Sequence, residues 1–130
     1  MILDSSAIVA VFLKEPSADK ILELIAAADR VAVSAATLVE TGIVLSHRKG
    51  RQMQHPLELF CQKLSIASVP FTDEHRDLAL HAWWHFGKSR NAAALSFGDC
   101  IAYATAKLAD EPLLCTGDDF RKTDLAVVQP

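Results

Sequence analysis

The chain has 130 residues, about half of them apolar, with 13 Lys and Arg against 16 Asp and Glu for a net charge of −3. That size suits one compact domain over residues 1–130 with enough apolar side chains for a core. No run of roughly 18 apolar residues occurs, which excludes a membrane-spanning helix, and the mild acidity announces no basic nucleic-acid binder, though it leaves room for a nuclease that holds acids at a metal.

"MILD" (1–4) reads as a short strand ending in a carboxylate. "SSAIVAVFLKE" (5–15) follows as a helix, interrupted by Pro16. "SADKILELIAAAD" (17–29) restarts it, with Ser17 as cap and Ile21, Leu24, Ile25 and Ala28 at helical spacing. "RVAVS" (30–34) is a second strand. "AATLVETGIVLSHRKG" (35–50) is a helix with basic residues in its last turn and Gly50 as a stop. "HPLELFCQKL" (55–64) is a helix opened by Pro56, and "SIASVPF" (65–71) a third strand.

"TDEHRDLALHAWWHFG" (72–87) is a helix capped by Thr72. "GKSRNAAALS" (87–96) reads as a loop, and "SFGDCIAYATAKL" (96–108) as a helix running to about Ala109. "PLLCTG" (112–117) is a strand, "DDFRKTDL" (118–125) a turn with one helical turn, and "AVVQ" (126–129) a last strand. Strand and helix alternate nearly throughout, which predicts an α/β sandwich around a mainly parallel sheet. "MILDSS" has no basic n-region, so no signal peptide is expected. Cys61, Cys100 and Cys115 are odd in number and form no C-x-x-C, so reduced core thiols and a cytoplasmic location are expected.

Four acids stand out. Asp4 ends the first strand, Glu40 lies inside a helix among Leu38, Val39, Ile43 and Val44, Asp99 opens the late helix, and Asp118 follows the "LLCTG" strand. Ligands of open α/β sheets bind at the carboxyl ends of the strands. Asp99 also reads as a helix-dipole partner and Asp4 as a cap. Glu40 has no such reading, because a carboxylate among aliphatics is costly without a cation, a hydrogen bond or water. Several acids embedded in apolar sequence suggest one shared site for Mg²⁺ or Mn²⁺.

"MILDSSAIVAVFLKEP", "SAATLVETGIVLSHR", "ALSFGDCIAYATAKL" and "LLCTGDDFRKTDL" resemble the PIN domain, and more narrowly the VapC-type toxins of type II toxin–antitoxin systems. The resemblance covers essentially the whole chain and implies a PIN-like three-layer α/β/α sandwich. It implies a metal-dependent endoribonuclease, held silent by a cognate VapB-type antitoxin and forming a homodimer. Carried over, Asp4, Glu40, Asp99 and Asp118 line one pocket, with Asp4 and Asp99 as direct metal contacts. Ser6 and Thr116 match the family's supporting hydroxyls. The run "TGDDF" is one residue shorter than the usual T-x-D-x-D-F. Asp118 keeps the T-x-D spacing, and Asp119, which keeps the spacing to Phe120, competes with it.

Under that reading a metal-activated water cleaves an RNA phosphodiester, leaving 3′-hydroxyl and 5′-phosphate ends. Basic residues near the motif ends would hold the RNA backbone: Arg90 first, with Lys88 and Lys14, and Arg121 and Lys122 as further candidates. "HRKGR" (47–51) reads rather as a solvated helix end. His81 and His85 are spaced i, i+4, but no HExxH or third zinc ligand accompanies them. One of Trp83 and Trp84 is expected in the core and the other at a dimer contact, while Phe12, Phe60, Phe71 and Phe97 are expected to pack.

An aspartyl-nucleophile phosphohydrolase would need D-x-D where this chain has "DSS", and a receiver-like module would need an acidic pair and a late lysine. A PIN nuclease without an antitoxin, or a catalytically inactive PIN-fold binding module, are the remaining alternatives.

Overall fold

Five strands, β1 (Ile2–Leu3), β2 (Val31–Ser34), β3 (Ile66–Val69), β4 (Leu113–Leu114) and β5 (Val127–Val128), form one sheet in the order β3-β2-β1-β4-β5. Every neighbouring pair is parallel. The structure is a computed structural model and describes all 130 residues. The helices are α1 (Ser5–Phe12), α2 (Ala18–Ala27), α3 (Ala35–Lys49), α4 (Gln54–Lys63), α5 (Asp73–Phe86) and α6 (Phe97–Ala109), followed by a 3₁₀ turn at Phe120–Lys122.

Side chains alternate across the sheet, so each strand feeds two cores. Leu3, Val31, Val33 and Leu114 pack with Ile8, Ile21, Ile25, Leu45 and Leu57 from α1 to α4. Ile2, Leu113 and Cys115 pack with Ala82 of α5 and Cys100, Tyr103 and Ala106 of α6 on the opposite face. The result is the expected α/β/α sandwich. All strands being parallel, their carboxyl ends share one edge; Asp4 directly follows β1, Glu40 lies in α3 after β2, Asp118 follows β4, and Asp99 opens α6.

Local chemistry explains most helix ends. Asp4 and Ser34 are extended and accept backbone N–H groups from Ser6 and Ala36, so they cap α1 and α3. Thr72 caps α5 in a capping box whose third-position partner is His75 rather than an acid, with Thr72 N–H donating to His75 Nδ1 at 3.1 Å. Gly50 closes α3 in the left-handed region at φ 65°. Pro56 falls within the first turn of α4, where an N–H has no helical partner anyway.

Three expectations are corrected. Ser17 precedes α2 but makes no side-chain cap; its backbone is already helical at φ −81°, ψ −8°, whereas a cap needs extended backbone. Trp83 and Trp84 are both substantially exposed, so neither is a core residue. Phe12 and Phe60 pack together with ring centroids 5.3 Å apart, but Phe97 is 82% exposed and Phe71 partly so. Phe97 is the first residue of α6, ahead of the buried run Cys100–Ala106, and its side chain points off the rim.

Candidate active site

Asp4 is 3% exposed, and its carboxylate is split between two tasks. Oδ2 accepts the Ser6 N–H at 3.0 Å as the cap of α1, while Oδ1 is buried without any partner. The main chain is pinned as well, because Asp4 N–H donates to the Leu114 carbonyl of β4 at 3.0 Å. Asp99 repeats the pattern at the start of α6. Its Oδ2 accepts the Ser96 N–H at 2.7 Å, and Ser96 Oγ accepts the Asp99 N–H at 3.3 Å, a reciprocal capping box. In both acids one carboxylate oxygen takes the capping bond and leaves the other free of it.

Glu40 comes from the second turn of α3. That helix runs against its apolar sequence: Thr37, Thr41 and Leu45 are buried and Glu40 half-buried, while the aliphatic Val39 and Ile43 are exposed. The carboxylate lies against Gly98 of α6, and its Oε2 is buried without a partner.

The charges feel one another. Burial pushes the Asp4 carboxyl above its ordinary pKa, contacts with Ser6 pull it back, and the Asp99 charge raises it further. Burial also raises Glu40, followed by the charges of Asp4 and Asp99, with the Ser5 side chain opposing them. Asp4, Glu40 and Asp99 thus form one electrostatic group drawn from three elements.

Asp118 and Asp119 lie outside this group. Asp118 is 74% and Asp119 58% exposed by side chain, paired with Arg121 at 3.6 Å and Lys122 at 3.8 Å respectively. Both sit close enough, with Asp4 and Asp99, to help burial push the Cys115 thiol to about 12. They border the pocket on the β4 side, after Gly117, whose φ of 83° turns the chain outward. Neither is desolvated, so geometry does not choose between them.

Of the supporting hydroxyls, Ser6 Oγ accepts the Thr116 backbone N–H at 3.0 Å. Thr116 therefore reaches the site through its main chain. The basic candidates divide. Arg90 lies over the Trp84 ring, 4.1 Å from guanidinium to centroid, in the loop that leads into α6. Lys122 Nζ donates to the Ala92 carbonyl at 3.2 Å, which joins that loop to the Asp118–Lys122 turn. Lys14 is separated from Asp4 by the whole of α1, on the order of 12 Å for eight residues. The His47–Lys49 cluster ends α3, two turns beyond Glu40. His81 and His85 stack at 4.0 Å, and His85 Nδ1 faces the His81 carbonyl at 2.9 Å, which binds that nitrogen to the helix.

The donor set fits a hard divalent cation. It is all oxygen, and it contains two buried carboxylate oxygens that no protein donor satisfies. No three Asp, Glu, His or Cys side chains form a ready-made metal cluster. Water would have to complete the shell, as is usual for Mg²⁺.

A family model described as PIN domain matches residues 1–125. The chain is 40% identical over 129 residues to "Ribonuclease VapC" of Mycolicibacterium smegmatis, covering 98% of this chain and 99% of that one. It is 40% identical over 126 residues to "Ribonuclease VapC36" of Mycobacterium tuberculosis, covering 96% and 91%. In fold it is similar to VapBC2 from Rickettsia felis, solved bound to a DNA fragment from its promoter, with a TM-score of 0.75 at 17% identity over 99% and 97% of the two chains. It is also similar to Mycobacterium tuberculosis VapC20, a sarcin–ricin loop cleaving toxin, with a TM-score of 0.73 at 21% identity over 99% and 98%.

Proposed function

The chain belongs to the PIN-domain family, and from that membership we propose that it is a VapC-type endoribonuclease, the toxin of a type II toxin–antitoxin pair, working with Mg²⁺ or Mn²⁺. The single observation that carries the metal-dependent reading is the trio Asp4, Glu40 and Asp99, with two buried oxygens lacking any partner. Protein groups do not neutralise this pocket, and a phosphate entering it would meet like charge.

Asp4 and Asp99 would hold the ion through the oxygens their caps leave free, with Glu40 and Asp118 or Asp119 supporting them. When bound, such an ion lowers the pKa of a water and offsets charge on the scissile phosphate. The chain's own contribution is position. Two capping interactions hold the Asp4 and Asp99 carboxylates by one oxygen each, and the Ser6–Thr116 bond joins the first turn of α1 to the segment after β4. Arg90, Lys88, Arg121 and Lys122 would bind backbone phosphates, with Arg90 stacked on Trp84. No general-base histidine is required, and none is near.

The antitoxin and the homodimer rest on the family likeness. Exposed apolar side chains on α3 (Val39, Ile43) and on α5 and α6 (Leu80, Trp84, Phe97) leave area for protein partners.

The test is cleavage of RNA by the purified chain with Mg²⁺, with EDTA as control, followed by sequencing of the cut ends. Metal-dependent cuts with 5′-phosphates support the proposal. Cleavage that survives EDTA, or ends bearing 2′,3′-cyclic phosphate, would overturn it. Suppression by the product of an adjoining antitoxin reading frame tests the toxin half.

A further inference from the structure

The geometry points to Gly98 as the positioning residue for Glu40: its missing side chain is the space in which the Glu40 carboxylate sits. The inference rests on the metal-site reading above and adds a residue to it.

A Cβ built at Gly98 would overlap Oε1, Oε2 and Cδ of Glu40, with Cδ only 2.5 Å away. The whole carboxylate is therefore seated on the backbone of α6. Gly98 is the second residue of that helix and buried. Its φ is not in the left-handed region, so the backbone itself does not call for glycine. Within a helix alanine is the more favourable residue. Gly42, in α3, makes the contrast: a Cβ there would meet only Leu57 Cδ1 at 3.5 Å, an ordinary contact. Crowding at Gly98 comes from the tip of one flexible side chain and not from backbone. A methyl group would therefore leave the fold intact and push out the Glu40 carboxylate. Adjacent residues thus divide one task, Asp99 supplying a carboxylate and Gly98 admitting the carboxylate of another helix.

The experiment measures Mn²⁺ binding to the metal-free full chain, by calorimetry or electron paramagnetic resonance, for wild type, Gly98→Ala, Glu40→Ala and the double variant, with thermal unfolding of each metal-free protein. Gly98→Ala is expected to weaken Mn²⁺ binding by about tenfold or more while unfolding at or above the wild-type temperature. On the Glu40→Ala background, which removes the three atoms nearest the new methyl, Gly98→Ala is expected to change binding by less than about twofold. Wild-type Mn²⁺ affinity in Gly98→Ala would overturn the inference. So would the same loss on the Glu40→Ala background, or a lowered unfolding temperature that accounts for the loss. If the wild type itself binds no Mn²⁺, the metal reading of the whole site fails and the role of Gly98 goes with it; if the wild type binds and Gly98→Ala binds equally, only the role of Gly98 fails.

Discussion

The Thr116 backbone N–H donates to Ser6 Oγ at 3.0 Å, tying the second residue after β4 to the first turn of α1. Ser6 also donates its own N–H to Asp4 Oδ2, so one serine connects a neighbouring strand end to the buried acid. Ser6→Ala leaves the Thr116 N–H without this partner and is expected to destabilise the protein by about 1–2 kcal/mol. It should also lower the cleavage rate by about tenfold, through a loosened Asp4. Thr116→Val keeps the N–H and should cost less in both. Urea unfolding and RNA cleavage measure the pair; equal losses from the two variants would contradict the backbone assignment.

Asp4→Asn and Asp99→Asn are each expected to abolish metal-dependent cleavage. Asn is as good a cap as Asp, so helix α1 should remain intact. Removing a buried charge from a repelling group should raise the stability of metal-free Asp4→Asn at neutral pH, on the order of 1 kcal/mol. Thermal unfolding in EDTA tests this. An inactive Asp4→Asn that is also less stable would mean the acid is mainly structural.

The same repulsion predicts a pH dependence. Asp4 and Glu40 both have carboxyls raised above their ordinary values, first by burial and then by neighbouring charge, that of Asp99 for Asp4 and those of Asp4 and Asp99 for Glu40. Their folded forms therefore hold protons that the unfolded chain has lost. Their stabilising contribution is complete below the unfolded carboxylate pKa, about 4, and is lost as pH rises through the raised folded values. Asp124, lowered chiefly by its hydrogen bonds to Lys107 and Tyr103, contributes with the opposite sign. The clean measurement is thus the difference between wild type and an Asp4→Asn/Glu40→Gln double variant in EDTA. That difference should move against the wild type from about pH 4 to 7, and Mg²⁺ should reverse the trend. A flat difference would contradict the coupling of these acids.

Arg90 and Trp84 make a paired prediction. Arg90→Ala should weaken RNA binding and reduce the salt slope by about 1. Trp84→Ala leaves the charge but removes its platform, and should cost about 0.5–1 kcal/mol. Arg90→Lys should not restore full binding, because an ammonium does not stack as a guanidinium does. Lys14→Ala should change nothing, since α1 separates it from the acids. Fluorescence anisotropy on an Asp99→Asn background, over a salt series, reads all four variants without cleavage; a Lys14 effect as large as that of Arg90 would place the RNA elsewhere.

The order of elements was legible in the chain because helix and strand periods and caps are written within a few residues. The clusters "MILDSS", "VSAAT" and "LSFGDC" each join an element end to a polar capping group, and each became a helix start at or beside the functional edge. Asp4 and Asp99 could be placed on the same local grounds. Glu40 could be flagged but not oriented. Its aliphatic neighbours implied a buried stretch, yet Val39 and Ile43 are exposed and Glu40 is turned toward Asp4 and Asp99. Which face of α3 turns inward depends on α1 and α6, which are distant in sequence. The same holds for Trp84 under Arg90, for the main-chain role of Thr116 and for the distance of Lys14 from Asp4 along α1. Local patterning decides what a segment forms, through hydrogen bonds and periodicity that act over one or two turns. Only the packed structure decides which side chains meet, because the space for the Glu40 carboxylate is a missing Cβ more than fifty residues away.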